Sequence, residues 1–188
     1  MKTVQQFLIA LGSNMPEPGM SPADTLRAAL AALVPKGVVV LAQSRIYHTP
    51  CFPVGAGPDY ANAAARVRYD GDAAALLGKL HEVETGFGRN RVQRWGARVL
   101  DLDLVAAGAA VLPDAETWAY WYHLPAHRQM VEAPDRLILP HPRLQDRAFV
   151  LVPLAEIAPD WAHPVLGKSV ADMLAALPED CVSGIEAM

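Results

Sequence analysis

A chain of 188 residues, 52% hydrophobic and 19% charged, has the composition of one globular domain with a substantial core, which excludes an intrinsically disordered polymer. Its net charge of −4 excludes the global basic field that non-specific nucleic-acid binding needs, so any functional cations must be local. The two cysteines, Cys51 and Cys181, form no Cys-x-x-Cys pair, and the longest apolar stretch, 104–112, falls far short of the ~20 residues needed to span a bilayer.

Residues 4–11 read as a buried strand that ends at the turn cluster Gly12-Ser13-Asn14. Its apolar part is too short and wrongly bounded for a signal peptide, so a soluble protein of the reducing cytoplasm is expected, with no membrane and no nucleic-acid partner. Ser21 caps a helix to about residue 33, with Pro22 at its first position, Asp24 in its first turn and Leu26, Leu30 and Leu33 at helical spacing. Pro35-Lys36-Gly37 stops it. Residues 38–47, rich in β-branched side chains, read as a second strand, and 48–58, with three prolines and two glycines, as a loop. The alternation over 60–69 gives a third strand, although its alanines are poor strand formers. Asp70-Gly71-Asp72 turns the chain into a helix over 73–85, with Leu76, Leu77, Leu80 and Val83 on one face. A fourth strand spans 99–106. This is an α+β order, βαββαβ, the split-βαβ pattern of a ferredoxin-like antiparallel sheet with both helices packed on one face.

Beyond Gly108, residues 111–134 contain Trp118, Tyr120, Trp121, Tyr122, His123 and His127, an aromatic density that implies packing against something. Pro140-His141-Pro142-Arg143-Leu144 precedes a short helical reading through Arg147, Phe149 and Leu151. Pro159, Pro164 and Pro178 punctuate a tail with a helix near 169–177. No repeat or clean boundary interrupts the chain, so 1–188 is read as a single domain with an aromatic-rich insertion at about 111–134 and a C-terminal extension.

Four arginines, Arg89, Arg91, Arg94 and Arg98, fall within ten residues just before Asp101 and Asp103. On a strand the two aspartates share one face about 6.5 Å apart, while Leu100, Leu102 and Leu104 share the other. Paired carboxylates suit a hard cation such as Mg²⁺, and the planar arginine forks match phosphate oxygens. A lone Asp-x-Asp would be a weak signal. Composition and spacing argue for metal-assisted chemistry on a phosphorylated ligand.

Five segments taken together resemble one family, the 6-hydroxymethyl-7,8-dihydropterin pyrophosphokinases of folate biosynthesis. They are Ala10-Leu11-Gly12-Ser13-Asn14, Tyr47-His48-Thr49-Pro50, Asp59-Tyr60-Ala61-Asn62-Ala63, Arg94-Trp95-Gly96-Ala97-Arg98-Val99-Leu100-Asp101-Leu102-Asp103 and Leu139-Pro140-His141-Pro142-Arg143. The resemblance runs from about 7 to 177, apart from the aromatic insertion. It implies transfer of a pyrophosphoryl group from ATP to the hydroxymethyl group of a reduced pterin by in-line attack on the β-phosphorus, leaving AMP. Two Mg²⁺ ions would be held by Asp101 and Asp103, one across the α- and β-phosphates and the other across the β- and γ-phosphates. Arg89 and Arg98 would act on the phosphates in the catalytic step, and Arg91 would be an ATP contact on the same loop. Trp95 would swing with that loop and exclude water. Tyr60 and Phe149 would sandwich the pterin ring, and Asn62 would hydrogen-bond its amide edge. Thr49, Pro50 and Phe52 would wall the pocket, and Gly12 would leave it room. Glu84, Arg136, His141 and Arg147 match positions around the nucleotide. ATP and the reduced pterin are thus the implied partners; a monomer is expected, with a dimer left open.

The chain departs from the family pattern in three places. Pro142 stands where a tyrosine is frequent, the arginine loop is one residue shorter than in some relatives, and Val92-Gln93 stands where a lysine is common. The insertion is longer than the family leads one to expect; covering the adenine, a subunit contact and packing over the sheet are all open, with the last preferred. Two other readings compete. A ferredoxin-like RNA-binding module is opposed by the net charge, by Asp-x-Asp on the presumed binding face and by the lack of an aromatic-rich RNP strand. A non-catalytic pterin- or nucleotide-binding paralogue is opposed by the presence of Arg89, Arg98, Asp101 and Asp103.

Overall fold

The run Phe7-Leu8-Ile9-Ala10-Leu11 cannot be buried by one side of a sheet, because successive strand residues point to opposite faces. In the computed structural model, which describes residues 5–15, 19–51, 55, 57–88, 99–129 and 131–188, this run is buried on both faces. It lies in β1 (Gln5–Ser13), paired antiparallel on both sides. One neighbour, paired from Gln5↔Tyr69 to Ser13↔Ala61, is Tyr60–Tyr69. The other is the edge strand Asp101–Ala107. Val39–Gln43 and Tyr47–Thr49 both pair with Tyr60–Tyr69, and the two-residue strand Glu186–Ala187 adds to Tyr47–Thr49. In chain order these are β2 (Val39–Gln43), β3 (Tyr47–Thr49), β4 (Tyr60–Tyr69), β5 (Asp101–Ala107) and β6 (Glu186–Ala187). The fold is α+β, with an antiparallel sheet and packed helices.

The single second strand expected over 38–47 is instead divided. Ser44 Oγ accepts the N–H of Ala64 at 3.0 Å while Ser44 N–H donates to Ala64 O at 2.9 Å, so a hydroxyl stands in for a ladder carbonyl and β2 stops at Gln43. β3 then runs on to Thr49, into what reads as loop.

Helices α1 (Pro22–Leu33) and α2 (Ala73–Gly86) cover the Phe7, Ile9 and Leu11 face through Leu26, Leu30, Leu33, Leu76, Leu80 and Val83. Both begin at side-chain caps: Ser21 Oγ accepts from Asp24 N–H at 3.1 Å, and Asp72 Oδ1 from Ala75 N–H at 2.8 Å. After β5 come α3 (Ala115–Tyr122), α4 (Ala126–Gln129), α5 (Ala148–Ile157), α6 (Val170–Ala175) and α7 (Glu179–Val182). On the opposite face Leu8, Ala10, Ala64 and Val105 pack with Leu151, Leu154, Val170 and Met173 of α5 and α6. The alanines of β4 fit this two-sided burial, since small side chains let both helical layers approach. No helix among the described residues is long and apolar enough to cross a membrane.

The aromatic segment is anchored through Trp118, 1% exposed, whose Nε1 donates to Pro140 O at 2.7 Å. Its ring stacks on Tyr122 at 4.9 Å and meets His163 edge-on at 5.2 Å. His163 is itself buried, with Nδ1 accepting from the N–H groups of Val165 and Leu166, both at 3.2 Å. Burial pushes its imidazole down to about 4 from the ordinary 6.5. Between those values the unfolded chain takes up a proton that folded His163 refuses, so stability falls as pH drops through the window. The expected slope is up to about 1.4 kcal/mol per pH unit. Urea midpoints from pH 7 down to pH 4 should decline less steeply in His163→Asn than in the parent; parallel declines would remove His163 as the source.

Candidate active site

Strand alternation on β5 leaves Asp101 and Asp103 half-buried on the α5 side of the sheet, while Leu102 and Leu104 are buried beneath α1 and α2. Pairing sets Asp103 beside Ala10 and Asp101 beside Gly12, Gly12 beside Asn62, and Asn62 beside Tyr47. One row, Asp101, Gly12, Asn62, Tyr47, therefore crosses four strands at the end of the sheet.

Asn62, 5% exposed, donates from Nδ2 to Thr49 Oγ1 at 3.0 Å, which fixes the rotamer of its amide. A Cβ added at Gly12 would lie 3.1 Å from Asn62 Oδ1, closer than ordinary contact, so a glycine keeps the amide where it is. Tyr60, two residues before Asn62 on the same face, is half-buried opposite Thr49, and Pro50 follows β3, also half-buried. Phe149 is 39% exposed in the first turn of α5, its ring 5.7 Å from the Arg147 guanidinium.

The outer side of β5 is closed by two bonds. Glu84 of α2, 1% exposed, accepts the Leu102 N–H on Oε1 at 2.8 Å, and His141 N–H donates to Val105 O at 2.8 Å. His141 Nδ1 accepts the Arg143 N–H at 3.1 Å, which leaves the ring proton on Nε2. Burial, helped by the positive charge of Arg147, pushes this imidazole down to about 3, so it is neutral at physiological pH and offers Nε2–H as a donor.

Alongside lies a cavity of about 560 Å³. Asp103, His141, Pro142, Arg136, Arg143 and Arg147 border it from the strand and the segment after it, and Leu77 and His81 from α2. Each of its arginines meets a carboxylate: Arg147 Nη1 lies 3.4 Å from Asp103 Oδ2, Arg143 Nη2 2.6 Å from Asp146 and Arg136 Nε 3.1 Å from Asp135. Glu84 is under the strand and does not line the cavity. Phe52, Arg89, Arg91, Trp95 and Arg98 lie outside the described residues.

Sequence reasoning missed Arg143, Trp121, Leu124, Gln129 and Glu132, all of which border the cavity. The last four belong to the aromatic insertion, whose ring density was its only sign. Among the described residues no group of three His, Cys, Asp or Glu side chains could cage a metal. Two carboxylates on one strand face are nonetheless the donor set Mg²⁺ takes when phosphates and waters complete its octahedron, so Asp101 and Asp103 fit that ion.

The family model described as 7,8-dihydro-6-hydroxymethylpterin-pyrophosphokinase matches residues 8–159. The 2-amino-4-hydroxy-6-hydroxymethyldihydropteridine pyrophosphokinase of Synechocystis sp. is 37% identical over 161 residues, 85% of this chain and 71% of the relative. The protein of the same name from Methylorubrum extorquens is 32% identical over 178 residues, 95% of this chain and 97% of its own. Among solved structures, Plasmodium falciparum HPPK-DHPS superposes with a TM-score of 0.66 over 93% of this chain at 13% identity, a likeness of fold alone. The present chain spans 46% of that one. With the family model matched across residues 8–159 and relatives alike over most of their length, the chain belongs to the 7,8-dihydro-6-hydroxymethylpterin-pyrophosphokinase family.

Proposed function

We propose that this chain transfers a pyrophosphoryl group from ATP to 6-hydroxymethyl-7,8-dihydropterin, releasing AMP and the pterin diphosphate used in folate biosynthesis. The observation that carries the reading is the row Asp101, Gly12, Asn62. At about 4.8 Å per strand it sets a carboxylate for the phosphate end about 10 Å from an amide for a heterocycle edge. The hydroxymethyl arm of a pterin held at Asn62 then points along the row toward Asp101.

Asn62 keeps one Nδ2–H on Thr49 and accepts from the pterin amide on Oδ1. Tyr60 and Phe149 take the two ring faces, and Thr49, Pro50 and Phe52 wall the pocket. Arg136, Arg147 and the Nε2–H of His141 receive the triphosphate. Asp101 and Asp103 would hold two Mg²⁺ ions, which would supply charge neutralisation and polarise the β-phosphate. The pterin hydroxyl oxygen forms a bond to the β-phosphorus as the bond to the α-phosphate oxygen breaks, in line, so positioning and charge carry most of the catalysis. Arg89 and Arg98 offset charge developing on the phosphates, with Arg91 on the same loop, and Trp95 closes over the substrates to exclude water. Glu84 acts one step removed, holding β5 and its two aspartates in place.

The order β5, β1, β4, then β2 and β3 supports a ferredoxin-like reading.

Incubation with ATP, Mg²⁺ and the pterin should yield AMP in step with pterin diphosphate; ADP, or no nucleotide product, would overturn the assignment. Asp101→Ala and Asp103→Ala should each lower turnover by at least roughly 100-fold with an unchanged far-UV circular dichroism spectrum, while near-normal turnover would remove the metal role. Arg98→Ala should lower kcat far more than it weakens equilibrium binding of the pterin. Equal losses in both would rule out a role confined to the transition state.

A further inference from the structure

The cavity beside Asp103 has two chemically different sides. From β5 and the segment after it come Asp103, His141, Arg136, Arg143 and Arg147, which suit a triphosphate. From the insertion come Trp121 and Leu124, with Gln129 and Glu132 at the rim. Leu77 of α2 and Ile138 continue the apolar lining. A site with cations on one side and a flat apolar surface on the other matches a molecule with a polyanionic end and an aromatic end, which is the shape of a nucleoside triphosphate.

Among the described residues Trp121 is the one Phe, Tyr or Trp side chain in this lining, where the other aromatic rings are the imidazoles of His81 and His141. It is half-buried, unlike its neighbour Trp118, which is sunk in the core at 1% exposure and tied to Pro140. Its orientation is braced: the Tyr120 ring meets it edge-on at 5.4 Å, and Tyr120 Oη receives a bond from Arg128 at 2.9 Å and donates to Glu132 at 3.1 Å. Arg128 and Glu132 are ion-paired in turn. Arg143, on the phosphate side, reaches Tyr122 O at 3.5 Å, so the end of α3 and the cationic segment touch. A ring held at fixed orientation beside a group of arginines is a stacking platform whose ordering cost is met on folding.

We propose that Trp121 is the surface on which the base of ATP stacks, so that the insertion at about 111–134 supplies the base-recognition wall of the nucleotide site. This rests on the reading of the cavity as the ATP site, and it assigns nucleotide affinity to a residue outside every motif that marks the family. The base stacks on Trp121 over Leu124 while the triphosphate extends to Arg136, Arg143 and Arg147. Tyr120, Arg128 and Glu132 position the ring without touching the nucleotide.

The test is equilibrium binding, by calorimetry in Mg²⁺, of two probes to the full chain: α,β-methylene-ATP and inorganic tripolyphosphate, which lacks the base. Base stacking on an aromatic side chain is typically worth enough that Trp121→Ala should bind the ATP analogue roughly tenfold more weakly. Tripolyphosphate affinity should be unchanged. Trp121→Leu, which keeps apolar bulk and guards against a folding defect in the alanine variant, should lose analogue affinity likewise, and Trp121→Phe should restore most of it. Equal affinity of parent and Trp121→Ala for the analogue would overturn this proposal and leave the ATP reading intact, as would a parallel loss for both probes. A parent that binds neither probe would overturn both.

Discussion

The strand that carries Asp101 and Asp103 is an edge, and an edge strand leaves half its backbone groups with no ladder to join. Two different parts of the chain close that side. Glu84 reaches from α2 to the Leu102 N–H, between the two aspartates, and His141 gives its N–H to Val105 O. The register of β5 on β1 shifts at Val105, so this residue has no opposite number and its carbonyl turns outward to be met. Because His141 is seated there, Arg143 and Arg147 follow at the mouth of the cavity. Sealing one sheet edge thus fixes the carboxylates, orients a neutral imidazole and brings the cations to the same place.

The position proposed for the pterin follows from where the cover over the sheet ends. Both faces of β1 are buried, Leu8 and Ala10 under α5 and α6, Phe7, Ile9 and Leu11 under α1 and α2. Ala10 and Ala64 lie under that cover, whereas the next row, Gly12 and Asn62, lies outside that packed cluster. A glycine in the centre of that row is required by the Asn62 amide above it and cannot be exchanged for alanine without displacing the amide.

Much of this was legible in the sequence, for identifiable reasons. Ser21 and Pro22 marked the start of α1, an unbroken apolar run marked a strand buried on both sides, and the alternation at Asp101 and Asp103 placed both carboxylates on one face. The break at Ser44 was not legible, because it depends on a hydroxyl replacing a carbonyl opposite Ala64, a partner 20 residues away. Nor was the work of Glu84: resemblance assigns it to the nucleotide, while in the fold its Oε1 accepts from the backbone of β5. The insertion was the least readable segment, since Trp118, Trp121 and Tyr122 serve three ends at once: the core, the cavity and a ring stack. No single hydrophobic period describes a helix whose aromatic residues face in different directions.

The arginines of the cavity share a property that bears on how a polyanion enters it. Arg136, Arg143 and Arg147 each meet a carboxylate, in Asp135, Asp146 and Asp103, and none of these pairs is fully buried. Solvent-accessible ion pairs contribute only about 0–1 kcal/mol, so exchanging a carboxylate for a phosphate oxygen costs little, while the carboxylates keep three like charges from repelling one another beforehand. In a chain of net charge −4 this is how a local cationic site is kept without a basic surface. The pair Arg147 and Asp103 differs from the other two because both partners have roles in the proposed reaction. In the proposed reaction a divalent cation at Asp103 would compete with Arg147 for the same oxygen, and the triphosphate accompanying it would offer Arg147 a replacement. On the proposed reading metal and nucleotide would favour one another at this site, each releasing the partner that the other needs.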